Sequence, residues 1–368
     1  MTKKIKKKVR GNLVKVVFCL FFAAIGVYLT WLLHAQSTSP FYHEFGSYSL
    51  IPATDSTSVA GLKTAQSMGL SFSFSPHLSN NSPTLSQYNN YHFKYVDVSL
   101  RNIIYANFCN PGQTYNCTLN QTKLDKIESQ ARTAVQNAEK DPNVLSYYDL
   151  DDYYGDLTPA LQVVRRVVNE EASKANVTPK PILCGLGRNL ERQATPGGPV
   201  LNSSNEIAFF DKAMNNYSPS TCDLPVLYLY VGRYAKPTDT VDYTMSGSLP
   251  WMFDRLKQRG WDPSTSFIGI AQMYGSNSSV AVGSTYYSVT PQKTDVTNQV
   301  TSFCKYGALA VMGFNWQDSQ LKSRYELINS SDLRDGFSAG INACKKFWAT
   351  SSTQPLPPVS EPNNSTKP

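Results

Sequence analysis

Between Val144 and Tyr154 the chain reads VLSYYDLDDYY, an apolar and aromatic run that ends in Asp149, Asp151 and Asp152. Carboxylates this close repel one another, so in a confined site one keeps its proton to higher pH and can serve as a general acid. If the strand persists, Asp149 and Asp151 share one face and Asp152 takes the other, because strand side chains alternate. Acid–base chemistry needs a second carboxylate, and Asp318 and Asp97 are the candidates. Asp149, Asp151, Asp152 and Asp318 form the expected catalytic set. The competing reading makes these acids caps of the next helix.

An acid cluster of this kind belongs at the C-terminal rim of a buried strand, and the rest of the chain supplies strands to match. Strand patterns fall at Tyr48–Pro52, Gly69–Ser75, Phe93–Leu100, the acid-tipped run itself, Lys180–Gly187, Leu224–Tyr234, Ser266–Tyr274 and Gly307–Asp318. Helical spacing fills the intervals. Asn120–Lys140 carries Leu124, Ile127, Ala131 and Val135 three or four apart, and the helix from Thr158 has Pro159 at its first position. Further helices are expected at Ser56–Ser67, Leu85–Tyr91, Glu206–Asn215, Leu249–Arg259, Gln292–Lys305 and Leu333–Trp348. A long loop is expected after the third strand. Strict alternation over about 300 residues predicts an α/β fold, a single (β/α)₈ TIM barrel spanning 47–349. A doubly wound open sheet is the alternative, but no GxGxxG follows the first strand and no dinucleotide is expected.

In a barrel, ligands meet the residues at the C-terminal strand ends. Those ends offer Asp97 and Arg101 with Asn102 on strand three, Arg188 on strand five, Arg233 and Tyr234 on strand six, Gln272 and Tyr274 on strand seven, and Asn315, Trp316, Gln317 and Asp318 on strand eight. Acids, amides and aromatic rings suit a sugar, whose hydroxyls take polar partners and whose C–H faces stack on rings. The expected ligand is a polysaccharide or other glycan. Glycoside hydrolysis would use two carboxylates about 5 Å apart for retention, or about 6.5–9.5 Å apart for inversion. Competing structural roles are a barrel salt bridge for Asp97, core packing for Trp316 and charge neutralisation for Arg233.

The formal charge of +7 resides in the first fifteen residues, which hold seven Lys/Arg and leave the remainder neutral. No footprint for nucleic acid remains. Val16–Leu33 follows without a charge, long enough for a membrane helix, and the basic residues before it (1–15) predict a cytoplasmic N-terminus. The chain is therefore expected to be membrane-anchored with an extracellular domain, a cleaved signal peptide and secretion being the alternative. Residues 34–46 read as a linker, and 350–368 as a disordered Ser/Thr/Pro-rich tail.

Six cysteines beyond Cys19 suit an oxidising compartment: Cys109, Cys117, Cys184, Cys222, Cys304 and Cys344. Cys109 and Cys117 are the best pair on locality, while Cys184 also reads as a buried thiol. Neither the cysteines nor the four scattered histidines have metal-ligand spacing, and no cofactor is expected. Sequons begin at Asn116, Asn120, Asn176, Asn202, Asn216, Asn277 and Asn329.

The order GLKTAQSMGLSFSFS, YVDVSL, VLSYYDLDDYY, PILCGLG and MGFNWQD resembles the glycosidase-type TIM barrels over about residues 48–348. The DLDD run is similar to the aspartate series of the chitinase-like group, which ends in a catalytic glutamate, and Trp316 matches that group's sugar-stacking tryptophan. The resemblance implies the barrel, a carbohydrate ligand and hydrolysis with Asp151 or Asp152 as the acid. Two positions depart from it. Tyr153 stands where the chitinase-like glutamate would fall, and Gln272 where many retaining enzymes carry a carboxylate.

Overall fold

A computed structural model describes residues 39–48, 56–75, 83–108, 118–151, 156–187, 214–232, 241–262, 267–275, 290–316 and 326–351. The chain divides into a unit of Met1–Tyr42 and a unit of His43–Pro368. In the first, residues 39–42 make a turn closed by the Tyr42 N–H on the Ser39 carbonyl at 3.1 Å. The expected membrane segment at 16–33 lies outside the described residues, as does the tail expected at 350–368 apart from residues 350 and 351, which belong to the last helix instead.

The second unit is a closed barrel of eight parallel strands. They are β1 (Glu44–Ser47), β2 (Phe72–Ser75), β3 (Lys94–Asp97), β4 (Val144–Asp151), β5 (Ile182–Leu186), β6 (Leu224–Leu229), β7 (Ile268–Gln272) and β8 (Ala310–Phe314). Each pairs with its sequence neighbour, and β8 closes onto β1 with Gly313 opposite Ser47. Closure excludes the open-sheet alternative. The described helices are α1 (Ser56–Ser67), α2 (Pro83–Asn90), α3 (Ser99–Phe108), α4 (Gln121–Ala138), α5 (Thr158–Ala175), α6 (Ser248–Gln258), α7 (Lys293–Lys305) and α8 (Ser331–Ser351). Most of the helix expected at Glu206–Asn215 lies outside the described residues.

Two expectations are corrected. The first strand is Glu44–Ser47, not Tyr48–Pro52, so Tyr48 stands at the rim just past it. The segment after β3 is helix α3, not loop. Asp97, the last residue of β3, accepts the Ser99 N–H at 2.7 Å and starts that helix, and Leu100, Ile104 and Phe108, four apart, bury one stripe.

Strand alternation sorts the core into two layers. Phe45, Tyr95, Tyr147, Leu150, Cys184 and Val311 pack outward against helix residues such as Ile127, Val135, Leu161 and Val164. Burying each of these large apolar side chains contributes about 1.5–3 kcal/mol. On α5, Leu161, Val164, Val168 and Ala172 repeat three or four apart and form a wholly buried stripe. Outside that layer α4 and α5 are joined by charge. Arg132 Nη1 meets Glu171 at 2.6 Å, and its Nη2 meets Glu170 at 2.8 Å and Glu128 at 2.9 Å. Arg166 adds Glu128 at 2.7 Å, and Lys174 adds Glu171 at 2.7 Å.

Among the described residues two disulfides lie in the outer layer: Cys184–Cys222 ties β5 to the segment before β6, and Cys304–Cys344 ties α7 to α8. Cys184 is therefore bonded, not a free thiol. Cys109 and Cys117 fall outside the described residues.

Candidate functional site

Strand β4 does not hold the alternation that the sequence suggested. Its pairing with β5 slips between Tyr148 and Leu150: Tyr148 faces Leu183, Leu150 faces Cys184 and Asp151 faces Gly185. Asp149 is the extra residue of this bulge. The bulge separates the two acids expected to share a face. Tyr148 and Asp151 point inward together, so that a Cβ placed on Gly185 would run into the Tyr148 hydroxyl and lie 3.1 Å from Asp151 Oδ1. Asp149 turns outward to α5, where Arg165 and Asp223 are its charged neighbours.

The environments of the two acids differ accordingly. Asp149 is completely buried and, among the described residues, neither carboxyl oxygen has a hydrogen-bond partner. Burial pushes its pKa well above the usual aspartate range, with Arg165 opposing and Asp223 reinforcing that shift. Asp151 is about a fifth exposed at the rim and is held from three directions. Its Oδ1 accepts the Tyr228 hydroxyl at 3.0 Å. Its Oδ2 lies 3.3 Å from Arg101 Nη2. Its backbone N–H donates to the Tyr105 oxygen at 3.0 Å, while the Tyr105 hydroxyl donates to the Asp151 carbonyl.

Helix α3 supplies two of these partners from positions four apart, so Arg101 and Tyr105 share one face and the guanidinium sits 5.0 Å over the Tyr105 ring. For Arg101, burial works against its charge, whereas Asp151, followed by the Tyr48, Tyr105 and Tyr148 phenols, favours it, and the net shift is upward. Burial, with the Asp151 charge behind it, raises the Tyr148 phenol far enough to keep it neutral.

Around this pair runs a collar of rings. Tyr48 touches Phe74 at 5.2 Å and Phe314 at 5.0 Å between centroids, and Phe74 touches Tyr148 at 4.9 Å. Tyr230 bridges Tyr228 (5.4 Å), Tyr274 (5.4 Å) and Phe314 (5.1 Å). Such offset and tilted contacts are the favoured aromatic geometry. Tyr274, expected to bind substrate, is a buried member of this collar.

Other expected residues stand elsewhere. Gln272 is fully buried, accepting the Gly232 N–H at 2.8 Å and donating to the Tyr274 carbonyl at 3.0 Å, so it fixes the segments that follow β6 and β7. Asn315 is buried and donates to Glu326 at 3.0 Å. Trp316 is 2% exposed and packs on α1, its Nε1 lying 3.2 Å from where a Gly61 Cβ would be. It is core packing rather than a sugar platform. Asp97 is buried at the start of α3, and Asn102 lines a shallow cavity of about 450 Å³ between α3 and α4. Asp152, Asp318 and Arg233 lie outside the described residues.

Sequence reasoning missed Tyr105 and Tyr228, and placed Arg101 at the end of strand three without pairing it to Asp151. The RNIIY spacing on α3 was the available signal, hidden once that segment was read as loop.

No family profile and no curated protein matches the chain. Solved structures do. A xyloglucan-specific β-1,4-glucanase of glycoside hydrolase family 5, from a ruminal metagenomic library, superposes with a TM-score of 0.50 at 12% identity, over 84% of this chain and 96% of that one. A β-galactosidase from Marinomonas ef1 superposes with a TM-score of 0.50 at 8% identity, over 84% of this chain and 60% of that one. The fold shared with them is the closed (β/α)₈ barrel. At these identities the likeness to the glycoside hydrolase barrels is one of architecture, and the chemistry rests on the rim residues.

Proposed function

We propose that the chain is an exported glycoside hydrolase acting on an external or cell-wall polysaccharide, with Asp151 as the carboxylate at the reacting centre. The observation that carries this reading is the fixed placement of Asp151 at the end of β4, where Arg101, Tyr105 and Tyr228 hold its side chain and backbone together. Groups that are immobilised before substrate arrives are what transition-state stabilisation requires. Asp152 and Asp318 are the candidates for the second carboxylate. Export is supported by the basic and apolar N-terminal sequence and by two disulfides, which persist in oxidising compartments. Membrane anchoring through 16–33 and secretion after cleavage both deliver the barrel outside the cell.

A non-catalytic glycan-binding barrel is the second reading. It is favoured by the outward turn of Asp149, which leaves Asp151 the one inward-facing β4 carboxylate among the described residues. Turnover on a panel of polysaccharides separates the two. The wild type is expected to hydrolyse at least one, and Asp151→Asn to lose about 10²- to 10⁴-fold in kcat. Glycan binding that survives Asp151→Asn and Asp152→Asn, with no turnover in any form, would sink the enzyme and leave the binding module.

A further inference from the structure

Arg101 stands at the rim with about a quarter of its side chain exposed and its Nε buried. A guanidinium carries five N–H donors and no acceptor, and buried donors almost always find partners. Among the described residues, none of the Arg101 donors makes a hydrogen bond. Its Nε is buried without an acceptor, and its single ionic contact, to Asp151 Oδ2, is 3.3 Å long. Charge-assisted N–H···O bonds are normally about 2.7–2.9 Å. Asp151 cannot close that gap without giving up a partner, since its other oxygen is turned to Tyr228 at 3.0 Å. The Tyr105 ring underlies the guanidinium and fixes its plane, and about a quarter of the side chain is open at the rim. The group is held in place, partly desolvated, half-neutralised and short of acceptors.

We infer that Arg101 receives an oxyanion of the ligand and that the glycan bound at this rim is acidic, presenting a uronate carboxylate or a sulfate ester. This rests on the glycan-directed reading of the rim and narrows its substrate class. The charge argues for an anion over a neutral hydroxyl. A hydroxyl could be bound as well by an uncharged amide, whereas a guanidinium gains most from an acceptor that is itself charged. The fork geometry also suits a planar, two-oxygen partner better than a point acceptor. Asp151 remains beside the incoming anion, bridged to it through the same guanidinium, so the pair reads one acidic group and leaves the carboxylate on the reacting side.

The test is calorimetric binding of the full chain to four probes: a hexuronan oligosaccharide, its methyl ester, a sulfated galactan oligosaccharide and a neutral glucan oligosaccharide. Wild type should bind an acidic probe at least about tenfold more tightly than the uncharged ones, with affinity falling as salt rises. Preference for the hexuronan assigns the oxyanion to a carboxylate, and preference for the galactan assigns it to sulfate. Arg101→Gln should erase the preference while leaving weak binding of neutral glycans, and Arg101→Lys, which keeps the charge but loses the fork, should retain part of it. Equal affinity for the hexuronan and its methyl ester, with the galactan no tighter than the glucan, overturns the inference and leaves the glycan-directed reading standing. Binding of none of the four overturns both. The wild-type comparison decides the matter even where a variant fails to fold.

Discussion

Two arginines of this barrel sit on neighbouring helices and are used in opposite ways. Arg132, on α4, meets three carboxylates at 2.6–2.9 Å, and Arg166 and Lys174 extend the set across α5. Among the described residues Arg101, on α3, has one long ionic contact and a buried Nε without an acceptor. Arg132 and Arg166 close their charges on the glutamates of α4 and α5, whereas Arg101 at the rim is left partly open. A cation whose donors are all engaged can only hold the fold together, but one with donors left over can do something for a ligand.

The largest effect expected on the rim side comes from Gly185→Ala. Its new methyl meets the Tyr148 hydroxyl and crowds Asp151, so it should cost about 1–3 kcal/mol in urea unfolding and weaken glycan binding as well. On the flank, Arg132→Ala should cost about 1 kcal/mol, diminish with added salt and leave binding untouched. If it lowered glycan affinity, the division between flank and rim would break. Arg101→Gln should change stability by no more than about 0.5 kcal/mol while altering ligand preference, the reverse pattern.

Asp149 sharpens the comparison through pH. Its pKa in the fold is raised, so the folded state holds a proton that the unfolded chain releases above about pH 4. The stability that this proton gives is complete below that pH and is lost as pH rises towards the folded value. Urea midpoints of the wild type should therefore drop relative to those of Asp149→Asn across that range. Parallel curves would show that Asp149 ionises in the fold as readily as in the open chain.

Much of the fold was legible because its signals are local. Leu161, Val164, Val168 and Ala172 repeat at helical spacing behind a Pro159 start, and the buried strands are short apolar runs between turns. The errors arose where tertiary placement overrides local pattern. Helix α3 was hidden because FKYVDVSL runs from strand into helix with no glycine or proline to mark the change, the signal being the Asp97 side chain on the Ser99 amide. Trp316 follows the end of β8, as a sugar platform would, yet packs outward onto Gly61. The acid at the rim was found from its position at the end of an apolar run, but its partners were not. Arg101, Tyr105 and Tyr228 come from two other parts of the chain, and no spacing within β4 announces them.

The extra residue in β4 has a consequence for the barrel as a frame of reference. A strand is read two residues at a time, and one inserted residue changes the phase of everything after it. Before Asp149 the inward side chains follow one parity, and from Leu150 onward they follow the other. The bulge absorbs the extra residue and keeps Asp151 in the inward slot after Tyr148, so excising Asp149 would straighten the strand and deliver Asp151 to the same place. The outward acid is thus dispensable to the geometry that it accompanies, and the strand could shed it without moving the inward one.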